Sequence, residues 1–245
     1  MSFGGLADSA TLSFNGNTTP QAVSSTVGIP TNSSVISGLS TLKTAASIEN
    51  NQAAYLLYTD SFGNTQWVNI TDSTTQNGVA YDAEAINAAV ADGATDVQLV
   101  HTHQDANTEE AGLNSSGYPP SVADMNLTCD SMVSNYKHVT VDSNNIWTMT
   151  NTGSCPRSLF QRSVLPTIEA LALLSVMGPG QRNEEYSDLL NSNLVTNQLQ
   201  LASLLDFQDV DFDRLSSEEI LELANPALDQ ANLTLTKTDI TNYSY

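Results

Sequence analysis

At 245 residues, 40% of them hydrophobic, the chain is long enough for a sizeable core in one large domain or in one domain with a smaller companion. Lys and Arg total 7 against 27 Asp and Glu, a formal charge of −20, which excludes the basic face that phosphate recognition needs and argues against nucleic acid as a partner. No apolar run approaches the roughly 20 residues of a membrane helix, so no membrane insertion is expected.

The first residues, MSFGGLADSATLSFNGNTTP, have neither a basic region nor a continuous apolar stretch, and no signal peptide is read there. Acidic residues with so few lysines suit a chain that stays hydrated in concentrated salt, where screening removes self-repulsion. The expected setting is the cytoplasm of a salt-loving organism, or a virus particle. Residues 1–40, rich in Ser, Thr, Gly and Asn, read as an extended arm that needs a partner surface to become ordered.

Residues 41–155 alternate between strand and helix signals. AAYLLYT (53–59) reads as a buried strand, SFGN (61–64) as a turn and TQWVNIT (65–71) as the returning strand. DAEAINAAVADGA (82–94) places Ile86, Ala89 and Val90 at helical spacing, with Gly93 as the stop. VQLVHTH (97–103) follows as a strand, SVADMNLTCDSMVSN opens a helix at Ser121, and KHVTVDSNNIWTMT (137–150) reads as a hairpin turning at SNN. The pattern predicts an α/β sandwich with a mixed sheet.

Residues 156–245 turn to helix and read as a packing or partner-binding extension. SLFQRSVLPTIEALALLSVM (158–177) is bent or begun by Pro166, EEYSDLLNSNLVTNQLQLASLL (184–205) carries a leucine face, and Ser216 with Glu219 forms a capping box. Asp209, Asp211 and Asp213 have the spacing of a calcium loop, but Arg214 and Ile220 occupy the places of its required Gly and Glu. Cys129 and Cys155, in no CxxC, make no disulfide framework and read as two buried thiols, with a single bridge between them as the alternative.

Chemistry concentrates around residues 101–124. Residues two apart on a strand point the same way, so His101 and His103 offer two imidazoles to one side. A helix opening at SVAD puts Asp124 in its first turn, and two His with one Asp leave zinc a fourth place for water. His138, at the start of a strand, reads as structural.

VQLVHTH followed by PSVADM resembles the JAB/MPN (JAMM) metalloprotease family, whose motif is an upstream Glu, HxH after an apolar strand, and SxxD opening a helix. EAINAAVADGATDVQLVHTH, PPSVADMNLT and KHVTV look closest to its RadC-like branch, over residues 48–149. The resemblance implies a cytidine-deaminase-like sandwich and Zn2+ on His101, His103 and Asp124. It further implies that Ser121 hydrogen-bonds the tetrahedral intermediate and that an upstream Glu takes the proton of the attacking water. Aligning YLLYTD with the family's strand puts Gln52 at the Glu position, with Glu49 three residues earlier. Gln104 stands where the family has Pro, and Gln104 to Pro120 insert 17 residues between ligands, with Asp105, Glu109 and Glu110 among them. The implied activity is hydrolysis of an amide bond in a protein or peptide. Because such domains also occur in phage tail tips, neighbouring subunits of an assembly are the alternative partners, and zinc-dependent catalysis is then weak or absent.

Overall fold

A computed structural model of the chain describes residues 27–47, 53–75, 78–82, 84–103, 120, 122–131, 136–142, 145–191 and 198–243. Five strands of the central region, β1 Ala54–Thr59, β2 Thr65–Asn69, β5 Thr95–Thr102, β6 Lys137–Val141 and β7 Ile146–Asn151, join with β8 Leu233–Thr238 in one six-stranded sheet ordered β2-β1-β5-β6-β7-β8. Among the described residues, only β5 and β6 pair in parallel. The fold is therefore α/β with a mixed sheet. A separate two-stranded hairpin, β3 Thr71–Thr75 with β4 Gly78–Tyr81, follows β2 directly.

The apolar run in β1 reflects a sheet covered on both faces. Tyr55 and Leu57 pack on one side with Trp67, Val100, Val139 and Val141, whereas Ala54 and Leu56 pack on the other with Val97, Leu99 and Tyr136. Helix α1 Val35–Ala46 covers the first face, its start capped by Ser34 accepting from the Ser37 amide, with Leu39 and Leu42 fully buried. Gly38 lets α1 approach closely, since a Cβ there would overlap the Trp67 ring. Helix α2 Glu84–Ala91 lies on the second face through Ile86 and Ala89 and ends at Gly93, whose φ of +87° is left-handed. Helix α3 Val122–Asp130, between β5 and β6 in the chain, sends Met125 and Cys129 into the core that the C-terminal helices share with Met149 of β7.

The C-terminal region contains α4 Leu165–Val176, α5 Arg182–Asn191, α6 Gln198–Leu205, α7 Ser217–Glu222 and α8 Asn225–Gln230. Pro166 sits in the first turn of α4, and the preceding Phe160–Val164 is π-helical, so the bend read at Pro166 takes the form of a wider turn. The capping box of Ser216 and Glu219 opens α7. Buried Arg182 donates to the carbonyls of Met177, Phe212, Leu215 and Ser175, and Asp213 accepts from the Gly180 and Arg182 amides, so that aspartate caps α5. No helix among the described residues is long and apolar enough to cross a membrane.

Three expectations are corrected. Residue 40 is no boundary between arm and domain, because α1 spans it and Val27, Ile29 and Leu39 belong to the core; residues 1–26 of the arm lie outside the described residues. The stretch after 156 is not helix alone, since β8 pairs with β7 from Ile146↔Thr238 to Asn151↔Leu233 and completes the sheet. Cys129 and Cys155 form a disulfide, with Cα atoms 5.2 Å apart. Spacing in sequence could not show this, because the pair meets only once α3 lies over β7.

Candidate metal centre

Strand alternation places Leu99 and His101 of β5 on the face covered by α2 and α3, opposite Val100. The parallel register pairs Leu99 with His138 and His101 with Thr140, so His138 of β6 points to the same face beside His101. The first turn of α3 brings Asp124 over both. His101, Asp124 and His138 are all buried, and a ligand atom from each lies within 4.8 Å of the other two.

Asp124 is the hub. Its Oδ1 lies 3.2 Å from His138 Nε2 and 3.6 Å from His101 Nε2, while its Oδ2 lies 3.4 Å from His103 Nε2. His101 Nδ1 and His138 Nε2 are 3.0 Å apart. The chain has 3 histidines, and all of them converge on this carboxylate.

Helix α3 is held where Asp124 needs it. Thr128 Oγ1 donates to the Asp124 carbonyl, Asn151 Nδ2 donates to the carbonyls of Thr128 and Ser131, Arg157 pairs with Asp130 at 3.2 Å, and Cys129 is bonded to Cys155. These anchors all come from α3 itself or from β7 and the segment that follows it.

Burial pushes His101 down to about 3, against the pull of Asp124, so the imidazole is neutral and keeps a lone pair. Burial would raise the Asp124 carboxyl, but His101 and His138 beside it, with hydrogen bonds from His103 and His138, hold it well below the usual carboxylate range. Tyr81 and Tyr136 are raised, first by burial and then by nearby groups that include Asp124, and both phenols stay protonated. Tyr136 meets His138 edge-on, and among the described residues its hydroxyl and the His138 Nδ1 have no hydrogen-bond partner.

The donors fit a transition-metal ion. Neutral imidazoles and an ionised carboxylate suit zinc and its neighbours, and zinc at about 2.0–2.1 Å from tetrahedral ligands separates them by roughly 3.3 Å. The three imidazole–carboxylate contacts, at 3.2, 3.4 and 3.6 Å, straddle that value, and the 3.0 Å contact to His138 runs through the other His101 nitrogen, Nδ1.

Of the site residues read from sequence, His101, His103 and Asp124 are brought together, whereas Glu49, its rival Gln52, Ser121 and the 104–119 segment with Asp105, Glu109 and Glu110 lie outside the described residues. His138 is the residue that sequence reasoning missed: it is no isolated strand histidine but part of the cluster. The available signal was that VQLVHTH and KHVTV flank one helix, the arrangement of a parallel β-α-β unit whose adjacent strands bring their histidines together. No family model, curated protein or solved structure matches the chain.

Proposed function

We propose that the chain is a metal-dependent domain of the JAB/MPN kind that hydrolyses an amide bond in a protein or peptide. One observation carries this reading: every histidine of the chain meets one buried, ionised carboxylate at coordination spacing. The order of elements also supports it, with a strand ending in HxH, a helix carrying Asp124 in its first turn, and a parallel strand beside the first. The ion is zinc, held by His101, Asp124 and a third ligand from the two flanking imidazoles, His103 and His138. Two imidazoles and one carboxylate leave a fourth place for water, as hydrolytic sites do. A zinc ion held by these residues would supply Lewis acidity to an amide carbonyl and to water. Glu49 accepts a proton from the attacking water, and the Ser121 hydroxyl donates to the oxyanion.

A second reading is favoured by Gln52, which takes the place of the family's Glu when YLLYTD is aligned. An amide is no proton acceptor at neutral pH, and the domain is then a catalytically silent component of a virus particle, tail or other assembly whose partners are neighbouring subunits. Cleavage of peptide and isopeptide substrates by the zinc-loaded full chain decides between them. The hydrolase reading expects zinc-dependent turnover that Glu49→Gln abolishes without loss of zinc. Absence of turnover in the zinc-loaded wild type refutes it, and turnover that survives Glu49→Gln refutes the role of Glu49.

A further inference from the structure

We infer that His138, and not the His103 of the HxH pair, is the third protein ligand of the ion, completing a set of His101, Asp124 and His138. The inference rests on the metal reading above but departs from the ligand set implied by the sequence motif. His138 Nε2 lies 3.2 Å from Asp124 Oδ1 and 3.0 Å from His101 Nδ1, while the other His101 nitrogen, Nε2, lies 3.6 Å from the same Oδ1, so one ion takes one of those two nitrogens. His103 reaches only the other oxygen, Oδ2, at 3.4 Å. The described groups that lie mutually within 4.8 Å are those of His101, Asp124 and His138. Rigidity points the same way. His101 and His138 stand on the two paired central strands, with side chains 5% and 0% accessible, whereas His103 is one residue past the end of β5 and 17% accessible. A site preformed on paired strands binds without ordering a loop residue.

The competing role for His138 is to orient His101, as residues behind metal-ligating imidazoles commonly do. In that role the His138 Nε2–H would donate to Asp124 Oδ1 and to the lone pair of His101 Nδ1, and no ion would be needed. As a ligand, His138 instead turns the Nε2 lone pair to an ion shared with Asp124 Oδ1. His103 is then left beside the ion, held to Asp124 Oδ2, at the more accessible side of the cluster.

With 3 histidines in the chain, the assignment is directly readable. The full chain, labelled with 15N-histidine and loaded with 113Cd2+ as a spin-active divalent probe, should show cadmium–nitrogen splitting on two imidazoles. His103→Ala should leave both split signals and remove only an unsplit one, while His138→Ala should leave one. Because His103 is the most accessible of the three, the wild type and His103→Ala suffice if His138→Ala does not fold. A split signal that disappears in His103→Ala overturns the inference, as does splitting on all three imidazoles. Wild-type protein that takes up no cadmium or zinc overturns the metal reading itself, an outcome distinct from a changed ligand.

Discussion

Asp124 joins side chains that the sequence keeps far apart: His101 and His103 come from β5 and its end, His138 from β6, and only the first turn of α3 reaches all three. Asp124→Ala should therefore abolish stoichiometric zinc in a protein that still folds, as read by metal analysis with circular dichroism; retained zinc would remove Asp124 from the site. The buried imidazole also makes a pH prediction for the metal-free protein. His101 titrates near 3 when folded and near 6.5 when unfolded, so the unfolded chain takes up the proton first and stability falls as pH drops below about 6.5. Asp124, lowered in the folded state, acts in the same direction at lower pH, because its stabilisation is lost as the carboxylate protonates. Urea midpoints measured from about pH 7.5 to pH 4.5 should decline, and His101→Gln should flatten that decline; a midpoint that rises on acidification contradicts the account. His101, His103 and Asp124 were legible because strand alternation and a helix start are local patterns. His138 was not, because its role depends on a strand register set by tertiary packing.

Among the elements, α3 carries the most consequence for its length. Its first turn holds Asp124, and its position is fixed by Asn151, the Asp130–Arg157 pair and the Cys129–Cys155 bond. Replacing both cysteines by serine should cost about 3 kcal/mol of stability. It should also weaken zinc binding through a looser Asp124, as read by competition with a chelator; unchanged zinc affinity in a destabilised protein would show that the disulfide supports the core alone. On the opposite face, Gly38→Ala should cost about 1–3 kcal/mol, because α1 cannot retreat from Trp67 without uncovering the sheet. A melt identical to wild type would show that the helix has room. Strong periodicity and turn residues made β1, β2, α2 and the β6–β7 hairpin readable. The LTLTKT strand was hidden in a region of helical signals, since an edge strand has one paired neighbour and few apolar residues to announce it.

For the whole molecule, the N-terminal and C-terminal parts are built into one sheet and its cores, so the chain resists division at residues 40 and 155. Deleting residues 1–40 removes Val27, Ile29, Leu39 and half of α1 from the core over Tyr55 and Trp67, and should unfold that face rather than merely release an arm. A truncated protein with wild-type stability would return the boundary to residue 40. The charge of −20 predicts greater stability in concentrated salt, because the screening length shrinks from about 10 Å at 0.1 M to under about 3 Å at 3 M. Equal melting temperatures in the two would argue against adaptation to salt. Composition motivates that expectation, and the alternation of strand and helix signals announced the α/β class, but neither locates a metal. Elemental analysis of the purified full chain beside the folded double variant His101→Ala, Asp124→Ala decides whether one divalent ion sits where the three histidines meet Asp124. The wild type should hold about one equivalent of zinc and the variant none, whereas a metal-free wild type that takes up no zinc, or equal zinc in both proteins, would contradict a metal at this site.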